Sequence, residues 1–313
     1  MNILVTATPF CEDSQKSIKI LKKHNLNFTI YNKDISSESK LIKLLKDKEI
    51  VVAGLERYSE KVLKESKKLK LISRVGIGLD NVDLKAARKY NISVTHTPDG
   101  PTMAVVEFTI GLIFSALRLI HTSYVNILNS KWKRNTGFRI ENSVIGIIGV
   151  GRTGSRVANL LKNLGVKKIL INDINYKYKK FKKNIFKASK QKIYKEADII
   201  SLHIPLTNKT SNLISYKEFK LFKKNSILIN TSRGGIVNEN ALYSALKRKK
   251  LFSAAMDVFA REPYKGRLRT LRNCLLTPHN ASMSKDCRIR METEATEEAI
   301  RLISKKKFKN LAN

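Results

Sequence analysis

Three short segments of the sequence carry a cation, an acid and an imidazole that together could bind a carboxylate and move a proton. Arg233 lies in Asn-Thr-Ser-Arg-Gly-Gly (230–235), Glu262 lies in Met-Asp-Val-Phe-Ala-Arg-Glu-Pro (256–263), and His279 follows Leu-Thr-Pro. A guanidinium matches a carboxylate, an imidazole exchanges protons near neutral pH, and a neighbouring acid favours the charged ring. Reduction of a 2-keto acid needs such a set. The alternatives are a surface ion pair and a structural histidine.

A glycine-rich turn predicts a dinucleotide site. Gly-Val-Gly-Arg-Thr-Gly (149–154) follows a predicted strand (144–148) and opens a helix that ends near Gly165. The first glycine permits the tight turn, the second lets a pyrophosphate approach, and the third lets helix and strand pack closely. The helix N-terminus adds free amides and a positive dipole. The predicted contacts are Gly149, Gly151, Arg152, Thr153, Gly154 and Asp173.

Asp173 ends the next predicted strand, where a carboxylate can accept hydrogen bonds from the adenosine ribose. Its charge would repel the extra phosphate of NADP, so NAD is the predicted cofactor. Lys177, Lys179 and Lys180 follow closely and could neutralise such a phosphate, which keeps NADP open. A plain turn residue at the strand end is the other interpretation of Asp173.

The elements that must position these residues alternate between strand-like and helical patterns. Apolar runs at 3–5, 28–31, 50–53, 71–75 and 92–94 precede a breaker at 97–101. A helix at 103–118, apolar nearly all round and expected to be buried, then opens a second series with strands at 144–148, 169–172, 199–203, 227–230, 254–258 and 274–277. Ser215-x-x-Glu218 predicts a capping box, and 284–305 a final helix. This order predicts α/β architecture with parallel sheets covered on both faces.

The sequence resembles the D-isomer-specific 2-hydroxyacid dehydrogenases, and within them the phosphoglycerate dehydrogenase-like branch. The resemblance is densest at 74–83 (Arg-Val-Gly-Ile-Gly-Leu-Asp-Asn-Val-Asp), at the glycine turn, and in the three segments around Arg233, Glu262 and His279. It implies two doubly wound parallel-sheet domains. A Rossmann NAD domain (98–282) would be inserted into a flavodoxin-like substrate domain (1–97 and 283–313).

The resemblance also implies a role for each site residue. Arg233 would bind the substrate carboxylate, His279 would give and take the proton, and Glu262 would pair with the imidazole. Asp257 would lie beside the nicotinamide, with structural support as its alternative, and Arg74 would meet a distal anionic group. Further cofactor contacts would be His203, Pro205 and Thr231, and the substrate carboxylate would meet backbone amides of Val75, Gly76, Ile77 and Gly78.

The overall chemistry implied is hydride transfer between NAD and the 2-carbon of a small anionic hydroxy or keto acid, with 3-phosphoglycerate as the leading substrate. The alternatives are a glyoxylate/hydroxypyruvate reductase and a non-catalytic, corepressor-like NAD sensor. A homodimer formed through the apolar helix is expected. Because the chain ends just after its closing helix, no C-terminal regulatory domain is expected.

Composition limits the other partners. The formal net charge is +35, but lysines scattered over most predicted helices indicate a solvated surface rather than a specific nucleic-acid interface. The longest apolar stretch, 108–120, contains Arg118 and is too short to cross a membrane. Cys11, Cys274 and Cys287 have no metal-ligand spacing, so no metal is predicted. With no export signal, a cytoplasmic protein is expected.

Overall fold

The computed structural model describes residues 1–33, 35, 37–175 and 184–313, which form two compact units. Unit 1 contains Met1–Thr102 and Met283–Asn313, and unit 2 contains Met103–Ser282. The predicted division fell after residues 97 and 282. The first boundary therefore lies slightly later, beside the start of a long helix.

Unit 1 is built on a five-stranded parallel sheet in the order β2-β1-β3-β4-β5. The strands are β1 (Asn2–Val5), β2 (Asn27–Ile30), β3 (Ile50–Ala53), β4 (Leu71–Arg74) and β5 (Ser93–Thr95). Its helices are α1 (Lys16–Lys23), α2 (Glu38–Leu45), α3 (Glu60–Glu65), α4 (Leu84–Lys89) and, at the end of the chain, α11 (Lys285–Ile303). Strands β3 and β4 are buried along their whole length because helices cover both faces.

Local sequence sets where several of these helices begin. Ser37, Ser59 and Asp83 precede α2, α3 and α4, and each side chain accepts a hydrogen bond from the amide three residues later. Such caps satisfy amides that the first helical turn cannot pair. The strands between the helices are therefore delimited by signals that can be read from the sequence.

Unit 2 is built on a seven-stranded parallel sheet in the order β12-β11-β10-β9-β6-β7-β8. The strands are β6 (Val144–Ile148), β7 (Lys168–Asn172), β8 (Ile185–Lys187), β9 (Ile199–Leu202), β10 (Ser226–Asn230), β11 (Leu251–Met256) and β12 (Cys274–Leu276). Its helices are α5 (Thr102–Arg118), α6 (Ile120–Leu128), α7 (Arg152–Asn163), α8 (Lys190–Glu196), α9 (Tyr216–Leu221) and α10 (Glu239–Lys247), with 3-10 turns at Ile140–Asn142 and Arg267–Thr270.

One strand of unit 2 was not predicted. Strand β8 has only three residues and pairs at the sheet edge, and its Phe186 is 51% exposed. A short edge strand carries neither a continuous apolar run nor a clear alternation.

The predicted capping contact before α9 is present, because the Ser215 amide donates to Glu218 Oε2 at 2.9 Å.

Within the single chain, helix α5 is buried on one face, and burial of its other face against a second subunit stays a prediction. Val106, Ile113 and Leu117 pack into the core on one face of the unit 2 sheet, but Met103 and Glu107 are exposed. The helix is long enough to pack one face on the sheet while a second face stays outside.

Among the described residues no single helix is long and apolar enough to cross a membrane. The pair Thr102–Arg118 and Ile120–Leu128 reaches the required length and apolarity only together, across a 66° bend.

Each sheet has a switch point where the direction of winding reverses. It lies between β1 and β3 in unit 1 and between β6 and β9 in unit 2. Ligands of open α/β sheets bind outside the carboxyl ends of strands at such points. A ligand site is therefore expected at the loops after β6 and β9 in unit 2 and at the loops after β1 and β3 in unit 1.

Candidate active site

The three glycines of the turn after β6 have distinct surroundings. A Cβ atom on Gly149, whose φ is 93°, would lie 2.2 Å from the His203 carbonyl oxygen. A Cβ atom on Gly154 would lie 1.9 Å from the Gly149 carbonyl oxygen, whereas one on Gly151 would meet no atom within 4 Å. The first and third glycines thus permit close packing. The second leaves open space at the N-terminus of α7, so the residues present fit a dinucleotide pyrophosphate.

Asp173 is fixed beside this turn. It follows β7, and its two carboxylate oxygens accept hydrogen bonds from the Val150 amide at 2.6 Å and the Asn175 amide at 2.8 Å. The carboxylate is therefore oriented at the carboxyl end of the strand next to β6. Arg152 and Thr153 form the first turn of α7. Lys177, Lys179 and Lys180 lie outside the described residues, and the preference for NAD over NADP stays a prediction.

His203, Pro205 and Thr231 follow β9 and β10 at the same edge of the sheet. Desolvation lowers the pKa of His203 to about 4, and its Nε2 lies 2.9 Å from the Ser201 hydroxyl. The Thr109 hydroxyl donates to the Val105 carbonyl, so at 2.8 Å Thr231 must donate to Thr109. Pro205 is exposed. His203 is thus a neutral group near the glycine turn, and Thr231 ties β10 to α5.

Asn230 shapes the loop that carries Arg233. This buried residue ends β10, its Nδ2 donates to the Arg233 carbonyl at 2.9 Å, and its Oδ1 accepts from the amide and hydroxyl of Ser232. A Cβ atom on Gly234 would lie 1.9 Å from the Phe259 carbonyl oxygen, so glycine brings this loop against the one after β11. Arg233 Nη1 donates to the Ser232 carbonyl at 2.6 Å.

Glu262 and His279 form a direct pair. Nδ1 of His279 lies 2.9 Å from Oε2 of Glu262, and Oε1 of Glu262 accepts from the Phe259 amide at 2.9 Å. Burial would raise the pKa of Glu262, but His279, the Phe259 amide and the charge of Arg233 together lower it. The carboxylate is therefore held ionised beside the ring. The charge of Arg233 contributes to the lowered pKa of Glu262, so Arg233 lies within electrostatic range of the Glu262–His279 pair, and a joint catalytic role of the three stays a prediction.

Asp257 holds the histidine loop. Its side chain is completely buried and accepts hydrogen bonds from the Thr277 hydroxyl at 2.6 Å and from the amides of Asn280 and Ala281 at 2.7 and 2.9 Å. Its carbonyl accepts from the His279 amide at 2.8 Å. Burial raises the pKa of Asp257, and these donors oppose that shift. The contacts are those of structural support, and a contact with the nicotinamide stays a prediction.

The predicted substrate loop belongs to unit 1. Residues 75–78 follow β4, where Gly76 has a φ of 141° and its amide donates to the Thr97 hydroxyl at 2.8 Å. Arg74 is only 5% exposed, and its guanidinium donates to the Val75 carbonyl at 2.5 Å and, more weakly, to Asn81 Oδ1 at 3.4 Å. This geometry supports the loop itself. A contact between Arg74 and a distal anion stays a prediction.

Sequence reasoning missed some residues that shape these sites. Asn230 was quoted only as part of a segment, although an Asn at a strand end is a recognisable turn signal. Thr109 shows no such signal, because its contact with Thr231 arises only in the fold. Among the described residues, no group of three or more His, Cys, Asp or Glu side chains is arranged to hold a metal ion.

Comparison with known proteins agrees with this geometry. A family model described as "D-isomer specific 2-hydroxyacid dehydrogenase, NAD binding domain" matches residues 110–281, more than half of the chain. The region defined by the sheet of unit 2 and its glycine turn is therefore a nicotinamide dinucleotide-binding domain. The chain belongs to the D-isomer specific 2-hydroxyacid dehydrogenase family, which confirms the resemblance and the fold class predicted from the sequence.

Individual relatives carry different names. The chain is 33% identical over 298 residues to a D-3-phosphoglycerate dehydrogenase of Methanocaldococcus jannaschii, covering 88% of this chain and 54% of the relative. It is 34% identical over 275 residues to a glyoxylate reductase of Aeropyrum pernix, covering 82% and 80%. The chain thus spans about half the length of the curated phosphoglycerate dehydrogenases it matches.

A solved structure shows the same fold with a nicotinamide cofactor. It is the D-lactate dehydrogenase from Aquifex aeolicus complexed with NAD and lactic acid, which is 28% identical to this chain. The match has a TM-score of 0.85 and covers 97% of this chain and 96% of the other.

Proposed function

We propose that the protein is an NAD-dependent oxidoreductase that transfers a hydride between the nicotinamide and the 2-carbon of a D-2-hydroxy acid or 2-keto acid. The observation that carries the proposal is the 2.9 Å contact between His279 Nδ1 and Glu262 Oε2 in a chain of this family. Bound nicotinamide would supply or accept the hydride. The residues of the chain supply the proton and the binding charge.

The pair defines which atom exchanges the proton. Because Nδ1 donates to Glu262, Nε2 is the atom of His279 that would donate a proton to the carbonyl oxygen during reduction and remove it during oxidation. Glu262 would hold the ring through its contact with Nδ1, so it is a positioning residue. Arg233 would hold the substrate carboxylate and polarise the neighbouring carbonyl through charge-assisted hydrogen bonds.

Two substrate classes remain candidates. The first is 3-phosphoglycerate with its keto acid, predicted from the sequence and matched by the name of one relative. The second is glyoxylate or hydroxypyruvate, matched by the name of another at similar identity. The first was favoured by the resemblance to the phosphoglycerate dehydrogenase-like branch and, weakly, by the positive charge of the chain and a role of Arg74 in binding a distal anion. Since Arg74 is nearly buried and hydrogen-bonded to its own loop, we propose the second class as the physiological substrates.

The test is oxidation of NADH, followed by its fluorescence, with glyoxylate, hydroxypyruvate and 3-phosphohydroxypyruvate as substrates. We expect turnover of at least one of these acids. NADH binding without turnover of any of them would refute the proposed activity and would favour a non-catalytic NAD sensor.

His279 is tested by replacement with asparagine, which tolerates the left-handed backbone found at this position. H279N should lower kcat by about 100-fold or more, in the range of general acid-base catalysis, with little change in the Kd of NADH. E262Q should lower kcat less and displace the acidic limb of its pH profile. An unchanged pH profile in E262Q would remove the positioning role.

We also propose that the enzyme is a homodimer, but the surface differs from the one predicted. Most exposed apolar side chains of this region lie on α6 and just beyond it, whereas the large apolar side chain exposed on α5 is that of Met103. Ile120, Tyr124, Ile127, Leu128 and Trp132 are between 55% and 84% exposed. Such a large apolar stripe marks an association surface. Sedimentation should give a dimer for the wild type and a monomer for I127E. A monomeric wild type would refute this proposal.

A further inference from the structure

Unit 2 has a cleft beside the last strand of its sheet. Strand β12 forms one edge of the seven-stranded sheet, next to β11. The cleft lies between this strand, helix α6 and the 3-10 turn Arg267–Thr270, and its volume is about 350 Å³. Sites for small molecules have volumes in this range. The described residues that line the cleft include none of the predicted cofactor, substrate or catalytic residues.

Helix α6 fixes the loop that closes one end of the cleft. The Thr122 hydroxyl donates to the Arg272 carbonyl at 2.8 Å, and His121 Nε2 lies 3.1 Å from the same oxygen. Desolvation lowers the pKa of His121, although the carbonyls of Arg272 and Ser115 oppose this shift. The ring is therefore neutral near pH 7 and donates through Nε2. The backbone of Arg272 is thus held in place by contacts within unit 2.

Part of the lining of the cleft is apolar. Val125 of α6 is 40% exposed, and Leu271, Leu275 and Leu276 are half-buried. Removing such a surface from water by contact with another apolar group lowers the free energy. The cleft can therefore bind the apolar body of a ligand.

Two exposed arginines, Arg269 and Arg272, line the same cleft. Within the described ranges neither guanidinium forms an ion pair with a carboxylate. Arg267 of the same turn differs, because its guanidinium carbon lies 4.2 Å from the centre of the Tyr243 ring on α10, and it does not line the cleft. A planar guanidinium binds a carboxylate or a phosphate through two parallel hydrogen bonds. The cleft therefore combines an apolar lining with two groups suited to an anion.

We propose that this cleft binds a small organic anion, namely a carboxylate or a phosphate ester that carries an apolar body. The anionic group would contact Arg269 and Arg272, and the apolar body would pack against Val125 and the neighbouring leucines. This inference goes beyond the proposed function and does not depend on it, because the site uses other residues and its occupancy can be measured without turnover.

The experiment is isothermal titration calorimetry of the full chain in saturating NADH, which keeps the dinucleotide site filled. Naphthyl phosphate and naphthoate carry both parts of the ligand, whereas naphthylmethanol lacks the anionic group and inorganic phosphate lacks the apolar body. We expect saturable binding of at least one naphthyl anion with a Kd of about 1 mM or lower. Naphthylmethanol and inorganic phosphate should each bind at least about tenfold more weakly.

Variants locate the bound anion. R269Q and R272Q should each weaken binding by about tenfold, the effect of losing a charge-assisted hydrogen bond. The matched control is R267Q, which removes the same charge from the same turn but outside the cleft, and it should change the Kd far less. All three side chains are exposed, so the variants should fold. If one does not, the comparison of the four ligands on the wild type decides.

Several results would overturn the inference. One is a wild type that binds neither naphthyl anion. An unchanged Kd in both R269Q and R272Q would place the anion elsewhere, and an equal loss in R267Q would assign the effect to general positive charge. Inorganic phosphate or naphthylmethanol binding as tightly as the naphthyl anions would remove the need for both parts of the cleft. The proposed oxidation of NADH has its own assay with keto acids, so the two proposals can fail separately.

Discussion

Asp257 offers a sharp test of how the histidine loop is held. In D257N one carbonyl oxygen can replace Oδ1 and keep the Thr277 hydroxyl and the Asn280 amide, but the new amide group then faces the Ala281 amide. One buried donor loses its acceptor, which costs about 1–3 kcal/mol, and two charge-assisted bonds become neutral, which costs about 1 kcal/mol more.

The net loss in the free energy of unfolding should lie near the lower end of the sum of these two costs. Burial raises the pKa of Asp257, so removing its charge relieves part of a desolvation cost. We therefore expect D257N to lower the free energy of unfolding of unit 2 by about 2 kcal/mol. T277V, which removes one donor and leaves the carboxylate with two amides, should lower it by about 1 kcal/mol.

The assay is urea unfolding followed by circular dichroism, with kcat measured on the same samples. The transition that shifts when NADH is added identifies unit 2, since a ligand stabilises the unit it binds. A loosened His279 should also reduce kcat, by about 100-fold for a displacement of about 1 Å. A D257N protein as stable and as active as the wild type would show that the Asp257 contacts neither hold the loop nor position the ring.

Three further predictions concern the cofactor and the titratable groups. G151A should fold normally but weaken NADH binding by about tenfold or more, because the added methyl group enters the space open to the pyrophosphate. The control is G165A, which should lose stability without a change in NADH affinity because φ at Gly165 is 86°. The reverse pattern would contradict the predicted pyrophosphate site. The pKa of Glu262 is lowered in the folded protein, so the ionised carboxylate stabilises the fold above its ordinary pKa of 4.5. This contribution is lost as the pH falls through the lower pKa of the folded state. The difference in unfolding free energy between the wild type and E262Q should therefore shrink below pH 4.5. NMR titration of His203 should give a midpoint near 4, and one near 6.5 would show that its ring is not desolvated.

Much of the fold was predictable because its signals are local. Continuous apolar runs between helical patterns marked nearly every strand. The glycine turn at 149–154 marked the switch point of unit 2. The edge strand β8 was missed since three residues with an exposed Phe186 give no period. The face of α5 that meets the sheet could not be predicted, because its composition is apolar nearly all round and only packing decides which side is buried.

The candidate site was predictable in its residue types but not in its support. Arg233, Glu262 and His279 could be named from three segments, whereas the Thr231–Thr109 contact joins residues far apart in the sequence.

The backbone at His279 explains why a buried acid is needed in its neighbourhood. His279 has a φ of 56°, a left-handed conformation that costs a residue with a Cβ atom about 1–2 kcal/mol. Glycine would remove that cost, but it has no group that exchanges a proton. The loop must therefore be held by other contacts, and Asp257 provides them through its carbonyl to the His279 amide and through its carboxylate to the next two amides. The cost of the left-handed backbone at His279 is thus offset by Asp257, which directly follows β11 and lies far from residue 279 in the sequence.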